Sequence, residues 1–173
     1  MKLLSLMILI VQVGFAQDHK HHGQKMKSEK KEMNHSAHAH GVENKQFNKV
    51  LSEYESLHQA FFDEKLEKTK TQAKSVSAAI SEIKDPEILK LLTYTQKKLT
   101  ELQNSTDLDK SKEAMNVVSQ GILNVLEKHA PNKHYARYYC PMVKKYWIQN
   151  IKDSEKVMNP YASTSMPHCG SKK

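Results

Sequence analysis

The chain has 173 residues, a net charge of +8 and 27% charged side chains, with a mean hydropathy of -0.70. That is enough for one domain plus tails and too polar for an integral membrane protein. Only 5 Gly, 5 Pro and 7% aromatic residues argue against a sandwich or barrel.

Residues 1–16 have the three parts of a secretory signal: Lys2, an apolar run from Leu3 to Phe15, and small residues at Gly14 and Ala16. Cleavage is expected after Ala16. The run is too short to span a bilayer, and no cysteine near the cleavage point offers a lipid attachment site. The expectation is a periplasmic or secreted protein with no lipid anchor and no stable membrane insertion. Disulfides persist in that compartment.

Residues 17–43 carry His19, His21, His22, His35, His38 and His40 among many Lys, Glu and Ser. So few large apolar side chains cannot offset the entropy of ordering, and a disordered tail is expected. Its histidines form an auxiliary set that collects transition metals weakly, or they belong to a solvated tail without a role. Cleavage after Ala16 would place His19 third, behind Gln17 and Asp18. A free amine, two amides and an imidazole then suit square-planar Cu(II) or Ni(II), provided Gln17 does not cyclise.

From 44 to 130 the pattern is helical. Phe47, Val50, Leu51, Tyr54, Leu57 and Phe61 recur at three- and four-residue steps and predict a first helix. Asp63 offers an N-cap for a second, whose inward positions are Leu66, Thr69, Ala73, Val76, Ile80 and Ile83. Asp85-Pro86-Glu87 is a start signal for a third, combining a cap, a fixed φ and a charge suited to the helix dipole. That helix carries Ile88, Leu91, Leu92, Thr95, Leu99 and Leu102. A polar loop from Asn104 precedes a fourth stripe of Leu108, Met115, Val118, Ile122, Val125 and Leu126, which ends before Pro131. Gly121, inside that pattern, predicts a close helix contact. Four such helices with short loops predict an all-α fold: an antiparallel four-helix up-down bundle with an irregular Cys/Met/aromatic cap at its C-terminal end. His58 and His129 read as surface or bundle-end residues. No nucleophile with a positioned base, phosphate loop or covalent haem motif is present, so no enzyme is expected.

Residues 131–170 form the cap. Counted from the sequence, the charge is +1 over 1–16, +2 over 17–45, -1 over 46–130 and +6 over 131–173. In an exported protein this basic excess does not point to nucleic acid, but it favours a thiolate over a thiol. Both cysteines lie here beside methionines, in Tyr138-Tyr139-Cys140-Pro141-Met142 and Met166-Pro167-His168-Cys169-Gly170. Cys140, Met142, Met166, His168 and Cys169 make a soft ligand set suited to Cu(I) or silver. A disulfide between Cys140 and Cys169 is the alternative, and closing its loop would contribute roughly 3 kcal/mol. It leaves the methionines and His168 without a role.

The Cys-Pro-Met run, then Trp147, then Asn159-Pro160-Tyr161, Met166 and Cys169-Gly170 resemble the end of a bacterial domain family of unknown function. That family occurs behind signal peptides or fused to membrane-fusion subunits of heavy-metal efflux pumps. The stretch from Val50 to Lys65 is similar to the family's first helix, and the resemblance covers roughly residues 46 to 170. It implies Cys140, Met142, Met166 and Cys169 as shared sulfur positions, with Trp147, Asn159, Pro160 and Tyr161 as structural framework. The chain departs at Ser163, where the family has glycine, and at Pro167-His168, which adds an imidazole. With the resemblance, the expected function is soft-metal binding, most of all copper, for sequestration or delivery to an efflux membrane-fusion protein. The alternative is a disulfide-capped structural or protein-interaction module of an efflux or envelope system with no metal.

Overall fold

The computed structural model describes residues 44–152 and 156–173. The leader and the histidines at 19, 21, 22, 35, 38 and 40 lie outside the described residues. Four helices come first: α1 (Lys45–Phe62), α2 (Leu66–Ser81), α3 (Pro86–Gln103) and α4 (Leu108–Lys128). They form the up-down bundle expected from periodicity, with each helix packed on the next. The helices begin where short polar side chains satisfy free N–H groups. Asn44 accepts from Phe47 N at 3.0 Å, Asp85 from Glu87 N at 2.9 Å, and Asp107 from Lys110 N at 3.1 Å.

Asp63 does not cap α2. It closes α1, and Glu64 follows with φ 54°. Lys65 N donates to Ala60 O at 3.0 Å and Glu64 N to Phe61 O at 3.1 Å, the paired bonds of a Schellman end. Glutamate thus stands where glycine is usual. Its carboxylate accepts from Ser163 Oγ at 2.7 Å, tying this turn to the cap.

The inward stripes are buried as expected, apart from Leu91, which is 37% exposed, and Leu66 and Leu108, which are half-buried. A Cβ on Gly121 would lie 1.9 Å from Thr95 Oγ1, so the glycine marks a close approach of α3 and α4. On α4 the buried face is wider than one stripe and includes Ser111, Asn116, Ser119 and Leu123. The reason is a second neighbour.

That neighbour is the cap, much of which is regular. β1 (Tyr135–Cys140) and β2 (Lys145–Asn150) form an antiparallel hairpin, and β3 (Ser171–Lys172) pairs with the other edge of β1, giving the order β2-β1-β3. The register sets Tyr138 opposite Trp147 and Cys140 opposite Lys145. Runs rich in tyrosine, tryptophan and isoleucine suit a pleated, half-buried surface, and burial alternates strictly along β1. The four-residue turn has Lys144 at φ 55°, with its N–H on Cys140 O at 2.9 Å. Pro141 sits in this turn and Pro167 beyond the hairpin, so neither interrupts a strand.

The cap lies along the bundle, not across one end. Its contacts with α1 run from Asn48, which accepts from Asn132 Nδ2 at 2.9 Å, through Glu55, which accepts from Tyr135 Oη at 3.1 Å, to Glu64. On the α4 side Lys145 pairs with Glu113. Trp147, Tyr138, Ile148, Cys140 and Tyr161 belong to the same apolar core as the helices.

Candidate functional site

β2 is an outer strand whose free edge faces protein, and buried backbone groups require partners. Side chains supply them where another strand would. Ile148 N donates to Tyr54 Oη at 3.3 Å, Tyr161 Oη donates to Tyr146 O at 2.8 Å, and Tyr146 N faces Asn116 Oδ1 at 3.4 Å. Ser119 joins the two tyrosines, at 2.7 Å from Tyr54 and 3.1 Å from Tyr161. Its single proton is shared between Met115 O, one turn back at 2.9 Å, and Tyr161 Oη, whose own proton lies on Tyr146 O. Because Tyr54 accepts from Ile148, its own proton points to Ser119. Burial pushes the Tyr54 hydroxyl up to about 12 and that of Tyr161 well above its usual value. Both stay neutral donors.

The segment returning from β2 is held in the same way. Gln149, 5% exposed, donates to Lys156 O at 2.7 Å and accepts from Met158 N at 3.0 Å. Asn159 is fully buried. Its Oδ1 accepts from Tyr161 N at 3.0 Å and its Nδ2 donates to Cys169 O at 3.1 Å. Asn159-Pro160-Tyr161 is therefore a turn that positions the second cysteine, and Trp147 closes the space above it. The Trp147 ring stacks on Tyr138 at 5.7 Å between centroids. A Cβ on Gly170, at φ 142°, would come within 2.4 Å of that ring. Ser163, which stands where the resembled family has glycine, serves as the donor to Glu64.

Of the two places expected for His58, surface or bundle end, the surface is wrong; it lies toward the C-terminal end of α1 with its side chain inside. It is 4% exposed, and its Nε2 lies 2.8 Å from Met158 O, to which it donates. Burial lowers its pKa to about 4, so the imidazole is neutral. His129 is exposed.

Two of the five expected metal ligands, Cys140 and Cys169, are bonded to each other with 5.6 Å between their Cα atoms, just beyond the β1–β3 ladder. The bond uses both thiolates, the strongest ligands of the set. Met142 is 69% exposed on the hairpin turn, and Met166 is half-buried with its N–H on Ala162 O at 2.7 Å. His168 is exposed, its Nδ1 2.7 Å from Val157 O. Among the described residues no group of three or more His, Cys, Asp or Glu side chains is placed to hold a metal ion. This overturns the copper or silver cofactor. It also overturns the metal ion as partner, and with it the efflux membrane-fusion protein expected to receive that metal.

Sequence reasoning missed Asn116, Ser119 and Gln149. The signal available was polarity inside apolar stripes, since Ser119 and Asn116 flank Val118 and Met115 on α4. No helix among the described residues is long and apolar enough to cross a membrane. No family model, no curated protein and no solved structure matches the chain.

Proposed function

We propose that this protein is an extracytoplasmic structural or protein-interaction module of an efflux or envelope system, working without a bound metal. The observation that carries the reading is the Cys140–Cys169 bond, which fastens the end of a cap that shares its core with the bundle. A disulfide is at home outside the cytoplasm. The signal-like leader and the resemblance to a family found behind signal peptides support the same compartment. The disulfide-fastened cap, with its basic surface, offers a face to a partner.

Two measurements test this. Protein taken from the cell envelope into acid and alkylated should show no reactive thiol by intact mass. Oxidised protein should not withdraw Cu(I) from a chromophoric chelator. Two alkylated cysteines together with sub-micromolar Cu(I) binding would sink the reading. Replacing both cysteines with alanine should lower stability by about 3–4 kcal/mol, the loop-closure value for the sequence separation of 29 residues.

A further inference from the structure

A groove of about 380 Å³ opens between the last turns of α4, the connection after it, the first half of β1 and the end of β3. Its floor is aliphatic. Leu123 and Leu126 are each 5% exposed and Ala136 7%, with Pro131 beside them. The rim is cationic: Lys133, Arg137, Lys172 and Lys173 line it against a single acidic side chain, Glu127, so the lining side chains sum to +3. Glu127 is engaged by Arg137, with Oε1 3.2 Å from Nε. Lys133, Lys172 and Lys173 are exposed, and no carboxylate among the described residues pairs with them.

The groove begins where the β1–β3 ladder stops. β3 pairs only with Tyr138 and Tyr139, after which Lys173 N makes one more bond to Arg137 O at 2.9 Å. A chain entering here lies beside extended backbone, over an apolar floor and between lysines.

We infer that this groove docks an extended acidic segment of a partner protein, one apolar side chain on the Leu123–Leu126 floor and flanking carboxylates on Lys133, Lys172 and Lys173. The inference rests on the reading of the protein as an interaction module and supplies the partner's chemistry. Charge complementarity selects the occupant. Residues 17–45 of this same chain carry +2 and would be repelled. A second copy would bring the same cationic rim. A nucleic acid strand would set phosphates over an aliphatic floor and against Glu127, although its charge also matches the rim. Rim charges act mostly on association and on salt dependence, while the apolar floor holds the anchor.

The test uses the oxidised exported chain and a fluorescent, end-blocked nonapeptide with a central leucine between alternating Asp and Glu. Anisotropy should show saturable binding that weakens with salt. Lys133→Glu with Lys172→Glu should weaken it at least 10-fold, whereas Lys90→Glu with Lys97→Glu, equal in charge change on exposed α3 positions, should change it less than 3-fold. The same peptide with Asn and Gln, or with serine at its centre, should also bind at least 10-fold more weakly.

Equal loss in the two lysine pairs would overturn the inference by assigning binding to net charge alone. Equal binding of a single-stranded oligonucleotide of matched charge would overturn it in favour of a phosphate site. A 10-fold gain on removing residues 17–43 would make the tail the occupant and overturn it as well. No peptide binding, with the cysteines still joined and no Cu(I) bound, removes the groove and leaves the proposed function standing. Free thiols with peptide binding intact do the reverse.

Discussion

Tyr161→Phe isolates the device that lets a sheet edge sit inside this protein. The hydroxyl donates to Tyr146 O at 2.8 Å on a strand edge with no neighbouring strand, and the Tyr161 residue is 4% exposed. Phenylalanine keeps the ring and its edge contact with Trp147, at 6.3 Å between centroids, but leaves that part-buried carbonyl without this donor. An orphaned buried acceptor costs about 1–3 kcal/mol, and about 2 kcal/mol is a factor of roughly 30 in the folding equilibrium. Urea unfolding followed by Trp147, the only tryptophan, reads the cap directly. Tyr139→Phe, on a half-buried ring paired with Tyr146, should change stability by less than about 0.5 kcal/mol. The two tyrosines also set an alkaline limit. Tyr54 titrates near 12 in the folded protein and near 10 when unfolded, so its contribution is whole below pH 10. It is lost as pH rises toward 12, with a slope approaching about 1.4 kcal/mol per pH unit. Tyr54→Phe should flatten that slope while destabilising at neutral pH by orphaning Ile148 N. Should Tyr161→Phe match the wild type within about 0.5 kcal/mol, side-chain capping of β2 is refuted.

Three further outcomes follow from single contacts. Gly121→Ala should destabilise by about 2 kcal/mol by thermal melting, because the overlap with Thr95 exceeds the gain in helix propensity of about 1 kcal/mol; adding Thr95→Ala should recover at least half of the loss. His58, held near 4 in the fold and near 6.5 when unfolded, should make stability fall as pH drops from 6.5 to 4, by about 3 kcal/mol in all. His58→Gln, which keeps a donor for Met158 O, should abolish that slope, and an unchanged slope would assign it to other groups. Thr69 Oγ1 is buried without a hydrogen-bond partner, so Thr69→Val should raise stability by about 1 kcal/mol in the same urea assay; a loss would mean that the hydroxyl is satisfied.

The helical part was legible because its determinants are local. Stripes at three- and four-residue spacing, the Asp85-Pro86 start and the stop before Pro131 each act within a few residues, and all four helices follow them. Gly121 was readable for the same reason, as an unfavourable residue that only a close contact explains. Asp63 was misread because a polar residue between two helices can finish one or start the next; the αL turn at Glu64 assigns it to α1. The hairpin could have been read from two aromatic runs flanking a four-residue turn, in a segment expected to be irregular; Pro141 falls in that turn and interrupts neither strand.

Local pattern along the chain was enough for the bundle and for the grouping of both cysteines in one basic segment. The choice between ligand set and disulfide was made by long-range contacts. Cys140 and Cys169 are far apart in sequence, and the register of β1 against β3 brings their Cα atoms to 5.6 Å, a distance that no local pattern encodes. The same applies to Tyr54, Asn116 and Ser119. Along their helices they are polar marks in apolar stripes, and their role exists because β2 presents an unpaired edge to α1 and α4, where every buried N–H and C=O must find a partner.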